Sequence, residues 1–211
     1  MSALHTTIIE DSEAGFDPAA ILVAPDGAGV GAFAAVYDLG SGDFLVGLAA
    51  PEEQEPRFIC TAAADYPELE YEGMHARVVM GNLWGKAASV STSSDVLYLD
   101  VRFEAGGTLE LPEEYEDRAV FVLDGGVEIA GRSYDPSAGI VRFKVGEQVV
   151  VKGLSPTRML VLGGESVDAA VHIAWHFISP DQTRIARARE DWKARLDNTC
   201  RHVNDFPSIF V

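Results

Sequence analysis

Residues 96–131, VLYLDVRFEAGGTLELPEEYEDRAVFVLDGGVEIAG, constrain the fold more than any other stretch. Between residues 96 and 103, Leu97, Leu99 and Val101 fall on one face and Tyr98, Asp100 and Arg102 on the other. A period of two marks a half-buried strand. Gly106-Gly107 interrupts it, and residues 108–111 begin a second short strand that Pro112 stops. Residues 119–123 are continuously apolar, as a strand covered on both faces requires. Asp124-Gly125-Gly126 supplies residues that accept a positive φ, so residues 127–129 are expected to return as the hairpin partner of the preceding strand. The centres of the apolar runs predict a core containing Leu99, Val101, Val120, Val122, Leu160, Leu162 and Trp175.

The flanking regions read in the same way. Three apolar runs, at 20–23, 32–37 and 44–49, are punctuated by turns at Pro25-Asp26-Gly27 and Gly40-Ser41-Gly42-Asp43. Gly27, Gly29 and Gly31 lack the Lys-Ser/Thr and helix start of a phosphate loop, so they read as a glycine-rich turn. PEEQEPR, at 51–57, is a polar connector, and residues 75–80 form a strand with 81–86 as its turn. Residues 139–145 and 147–151 are expected to pair around Gly146, 158–162 is a further strand, and 167–178 the last. Ser179-Pro180-Asp181-Gln182 announces the one substantial helix, with Ser179 as N-cap, Pro180 in the first turn and Gln182 closing a capping box. Ile185, Ala188, Trp192 and Leu196 share one face of it, and Arg184, Arg187, Lys193 and Arg195 lie around the rest. That basic surface reads as solvated or resting on the chain itself, with partner docking as the alternative.

Charge narrows the range of functions. A net charge of −17 repels a phosphate backbone, so direct nucleic-acid binding is not expected. A protein with a basic face remains a suitable partner. Cys60 and Cys200 have no metal-ligand spacing and read as two reduced thiols. No run approaches the roughly 20 apolar residues of a membrane span. The acidic start MSALHTTIIEDSEAG has no signal pattern, so a cytoplasmic protein without membrane attachment is expected. The tail ends in Phe206, Ile209, Phe210 and Val211, which must pack on this chain or on a neighbour.

From about residue 51 to 193 the chain resembles the C-terminal half of the pirin family of bicupins. The resemblance is carried by PEEQEPRF, YPELEYEGMHARVVMGNLWG, LYLDVRFEAGGTLELP, VFVLDGGVEIAG, VGEQVVV, MLVLGGE and HIAWHFISPDQTRIARAREDW, in that order. It implies a mainly β, cupin-type antiparallel barrel or sandwich with one C-terminal helix. Residues 1–50 would be a short N-terminal β segment, 51–178 the cupin barrel, and 179–211 the helix and tail. The first cupin of pirins carries a His-x-His pair, a Glu and a further His that bind an iron-type metal. The family is associated with transcriptional co-regulation, and some members with dioxygenase activity on quercetin.

This chain has no His-x-His, and Glu113, Glu114 and Tyr115 stand about where a cupin's metal histidines fall. His5, His75, His172, His176 and His202 are scattered, and only His172 and His176, four apart on one expected strand, suggest a pair. The candidate binding residues are therefore Glu113, Tyr115, Glu128, His172 and His176, with no catalytic residue assigned. A metal site would have to draw on Glu113, Glu116 or Glu128. Ser89, Ser91, Ser93 and Ser94 form no nucleophile elbow. The leading expectation is a metal-free, cofactor-free, pirin-like cupin that binds a small molecule or a protein partner in a regulatory or accessory role. One alternative is a metal-dependent dioxygenase of the quercetinase type, using an iron-type metal. The other is a structural subunit that completes a hetero-oligomer with a full pirin. A homodimer is also expected, because the resemblance implies an apolar outer barrel face that a second copy would cover, with the tail contributing.

Overall fold

A computed structural model describes residues 19–23, 33–40, 43–48, 58–59, 65–92, 94–165, 172–174, 177–179, 181–184, 186–187, 190 and 209–210. The chain begins with β1 (Ala19–Val23), β2 (Phe33–Gly40), β3 (Asp43–Leu48) and β4 (Phe58–Ile59). Next come β5 (Glu68–Tyr71), β6 (Met74–Met80), β7 (Asn82–Leu83), β8 (Lys86–Ala87), β9 (Val96–Phe103) and β10 (Thr108–Glu110). The middle continues through β11 (Asp117–Asp124), β12 (Val127–Ile129), β13 (Arg132–Tyr134), β14 (Ile140–Phe143), β15 (Val150–Gly153) and β16 (Thr157–Gly164). The chain closes with β17 (His172–Ala174), β18 (Phe177–Ser179) and β19 (Ile209–Phe210).

Two compact units result. The first is built on residues 62–166, and the second gathers 6–29, 33–61 and 167–211. In the first, a six-stranded sheet of order β14-β11-β16-β9-β6-β5 and a four-stranded sheet of order β10-β15-β12-β13 are antiparallel throughout. Leu97, Leu99, Val101, Val120, Val122 and Val161 from one sheet and Leu109, Val127 and Val151 from the other meet in a single core. Burying a side chain of that size contributes about 1.5–3 kcal/mol. This is the mainly antiparallel, cupin-type architecture that the resemblance implies.

The core residues expected from the apolar runs are buried: Leu99, Val101, Val120, Val122, Leu160 and Leu162. Trp175 lies outside the described residues. Tyr98, Leu160 and Leu162, on the opposite face from Leu99 and Val161, are buried as well. β9 and β16 are therefore buried on both faces, where the alternation predicted one.

Strand pairing departs from expectation in three places. β12 does not return along β11; it pairs with β13 and β15 in the other sheet. The chain turns a corner at Gly125, whose φ of 80° places it where a Cβ would lie 2.5 Å from the Pro156 carbonyl oxygen. Thr157 Oγ1 secures the corner by accepting from Gly126 N at 3.0 Å. β14 and β15 likewise belong to different sheets and do not pair around Gly146. The last strand expected at 167–178 is two strands, β17 and β18, antiparallel with Ala174 opposite Phe177.

In the second unit, β1, β2 and β3 form an antiparallel meander. β19 inserts between β3, to which it is parallel, and β4, to which it is antiparallel. The tail segment is thus paired within its own chain. Helix begins at residue 182, and residues 183–184, 186–187 and 190 continue it. Its N-cap is Asp181, whose Oδ1 accepts from Thr183 N at 2.8 Å, while Ser179 is the end of β18. The carboxylate is the better acceptor for an orphan helical N–H, and the shift is two residues.

Candidate functional site

The loop of residues 111–116 between β10 and β11 contains the ligand-like positions of the sequence. Pro112 ends β10, and Glu113, Glu114 and Glu116 point into solvent. Tyr115 turns inward and is 7% exposed. Its hydroxyl accepts from Asn82 N at 3.1 Å and donates to Asn82 O at 3.3 Å, so both of its hydrogen-bonding roles are spent on one backbone residue. Gly81, next to it, has a φ of 80°, and a Cβ there would sit 2.1 Å from Val96 O. Only glycine allows that approach. Asn82 Oδ1 in turn accepts from Gly85 N at 2.8 Å, which ties the tip of the β7–β8 hairpin to the same anchor. Burial pushes the Tyr115 phenol pKa up, with smaller pushes from Glu114 and Asp95, and the Asn82 bond offsets part of the rise.

Arg118, the first buried residue of β11, has its guanidinium in the same region. It donates to the carbonyls of Pro112 at 3.4 Å, Lys144 at 3.3 Å and Glu147 at 2.5 Å. These carbonyls belong to the loops at 112–116 and 144–147, so Arg118 ties the two loops together, with Lys144 O also accepting from Glu147 N at 3.1 Å. Its role is structural.

Glu128 lies between the core residues Val127 and Ile129 and so faces the opposite side of the four-stranded sheet. Its register neighbours are Ser133 and Lys152. His172 stands opposite Ser179 at the open end of the β17–β18 pair. β17 ends at Ala174, and His176 lies outside the described residues. Glu113, Tyr115 and Glu128 are not brought together. Among the described residues no group of three or more His, Cys, Asp or Glu is arranged to hold a metal ion. The core cluster between the sheets is built from Leu, Val, Ile, Met, Ala and Phe side chains and the already committed Tyr115. That donor set does not fit the three or four N/O ligands with an open position that cupin metal chemistry needs.

Residues 98–196 match the pirin C-terminal cupin domain. The chain carries a pirin-type C-terminal cupin domain over those residues. A pirin-like protein of Caulobacter vibrioides is 38% identical over 144 residues, which are 68% of this chain and 49% of that protein. A pirin-like protein of Solanum lycopersicum is 25% identical over 146 residues, 66% of this chain and 50% of that one. The chain spans about half the length of the curated relatives it matches. The crystal structure of quercetin 2,3-dioxygenase from Acinetobacter baumannii aligns with a TM-score of 0.54 at 23% identity, covering 65% of this chain and 49% of that one. The last comparison shows a shared fold.

Sequence reasoning singled out Tyr115 in the pirin-like domain, but not Asn82, Arg118 or the exposed pair Tyr71 and Trp84. Asn82 and Tyr115 are thirty-three positions apart, and nothing local marks the contact. The one local signal for the aromatic pair was Trp84-Gly85, an X-Gly step at a hairpin tip.

Proposed function

We propose that this pirin-like cupin acts by binding a protein partner in a regulatory or accessory role, without metal-dependent chemistry in the described barrel. The observation that carries the reading is the Tyr115–Asn82 pair. At a position where a catalytic cupin presents a ligand, the side chain closes a loop instead, while Glu113 beside it faces solvent. The core between the sheets is built from apolar side chains, which favours a surface function over a polar ligand held inside the barrel. The partner could be a complete pirin, which makes the structural-subunit reading one form of the same proposal. A cytoplasmic setting goes with it. No helix among the described residues is long and apolar enough to cross a membrane.

Metal analysis of freshly purified protein tests the proposal, paired with an assay of quercetin consumption under oxygen. The expected result is far less than one metal ion per chain and no consumption. Stoichiometric iron, nickel or manganese, with turnover that a chelator abolishes, would establish the dioxygenase reading in its place.

A further inference from the structure

Tyr71 and Trp84 are 52% and 47% exposed, and their rings meet edge to face with centroids 5.9 Å apart. Both sit at the tips of two-residue hairpins. Tyr71 precedes Glu72-Gly73, with φ of 44° and 74°, and Trp84 is itself the first turn residue of Trp84-Gly85, with φ of 48° and 84°. Such turns favour Asn, Asp or Gly, and a bulky aromatic in the left-handed region is an outlier. Trp84 therefore occupies a position that folding alone would give to a small polar residue, and its ring is left half in water. Backbone outliers of this kind cluster at binding sites.

The strand that carries Tyr71 is also an edge. Among the described residues β5 pairs with β6 alone. Tyr71 and Met74 flank a two-residue turn and so form the hydrogen-bonded pair of the ladder. The N–H and C=O groups of Glu70 and Glu68 consequently face the free edge. Glu68 is engaged by Arg77 at 3.2 Å and His75 at 3.4 Å, and Glu70 beyond it is exposed. On the aromatic side, the Glu72 carboxylate accepts from the Tyr71 hydroxyl and raises its pKa, and Glu104 lies against Gly73. Lys86, two residues past Trp84, is a like charge that an incoming cation would meet. Glu70, Glu72 and Glu104 outweigh it locally, and the chain as a whole carries −17.

We infer that the free edge of β5 takes up an extended basic segment of a partner protein, with a Lys or Arg side chain stacked on the Trp84–Tyr71 pair. Backbone pairing supplies reach along the edge, and the cation on the aromatic face beside Glu72 supplies selectivity. The inference rests on the protein-binding reading above and names its surface and the chemistry of its partner. A failure of this test leaves the metal measurement untouched, so the two can be told apart.

The test is a titration of the full chain with an alternating Arg-Val decapeptide, followed by amide chemical shifts and Trp fluorescence. An Asp-Val peptide of the same length serves as control. Shifts should centre on Glu68, Leu69 and Glu70, with a dissociation constant in the micromolar to sub-millimolar range for the basic peptide alone. Trp84→Ala should weaken binding at least tenfold with the fold retained, because the side chain is exposed. Glu70→Pro, tolerated at an edge, should block it by removing the outward N–H, and Lys86→Ala should tighten it. Unchanged binding in Trp84→Ala and Glu70→Pro would reduce the effect to general charge attraction and overturn the inference. Equal binding of the acidic peptide, or no shifts at β5 up to millimolar peptide, would overturn it too.

Discussion

Arg158 holds Asp100 with both edges of its guanidinium, Nε on Oδ1 at 2.9 Å and Nη2 on Oδ2 at 2.8 Å. The pair joins β16 to β9 diagonally on the face of the six-stranded sheet opposite the core, where Asp100 stands opposite the buried Leu160 and two residues from Tyr98. Asp100 is 5% exposed, whereas the Arg158 side chain is 25% exposed. Arg158→Met therefore leaves a buried carboxylate without its counter-charge. The cost should be about 2–3 kcal/mol, at the low end for a buried pair because one partner reaches solvent. Urea unfolding measures it, and the double variant Asp100→Leu/Arg158→Met should recover most of the loss. An unchanged midpoint in Arg158→Met would show that the pair contributes no stability.

Tyr115→Phe removes two hydrogen bonds and leaves the Asn82 N–H and C=O at a half-buried site. A loss of about 1–2 kcal/mol is expected. The variant should also change the alkaline limb of the stability curve. Burial raises the Tyr115 pKa above its unfolded value near 10, so the unfolded chain releases the proton first. Its contribution is present below about pH 10 and is lost as pH rises through the folded-state pKa. Denaturation followed from pH 9 to 12 should be less steep in Tyr115→Phe than in the parent.

The face shared by Leu99 and Val101 was legible from the two-residue period, but the period did not show that Tyr98 and Asp100 on the other face are buried too. Which strand lies beside which was not legible either. A glycine pair after an apolar strand can close a hairpin or turn a corner between sheets, and Gly125-Gly126 does the second because Pro156 and Thr157 crowd beneath it. Among the described turns, tight hairpins use Glu72-Gly73, Trp84-Gly85 and Ala130-Gly131, where the first residue lacks the Asn or Asp that usually marks such turns. In the candidate site, the inward turn of Tyr115 depends on β7, far away in sequence. The spacing of Glu113 and Tyr115 alone could not separate a ligand from a loop anchor.

The corner itself is open to test. Gly125→Ala places a methyl group 2.5 Å from the Pro156 carbonyl and from Thr157 Oγ1, at a φ of 80°. A loss of about 2 kcal/mol or more should follow, from strain and from a weakened Thr157–Gly126 contact. Thermal melting checks it, and a wild-type midpoint would mean that β11 and β12 are connected in some other way.

Val122→Asp probes the core beneath the corner. Val122 is 1% exposed and packed among Leu, Val and Met side chains, so an aspartate there would be buried without a partner. The loss should exceed ~3 kcal/mol. Denaturant titration of Val122→Asp against the conservative Val122→Ala separates charge burial from the lost methyl groups. Similar midpoints for the two would place residue 122 at the surface.

The tail gives the clearest choice between two assemblies. β19 bridges β3 and β4 through backbone pairing. Deleting residues 204–211 therefore strips a strand from the five-stranded sheet of the second unit and exposes the edges of β3 and β4. The expected outcome is a lower melting temperature for that unit and a greater tendency to aggregate on heating. The molecular mass in light scattering at 20 µM should match that of the full chain. A full-length dimer that becomes a monomer on deletion, with its melting temperature unchanged, would assign the tail to a two-fold interface instead.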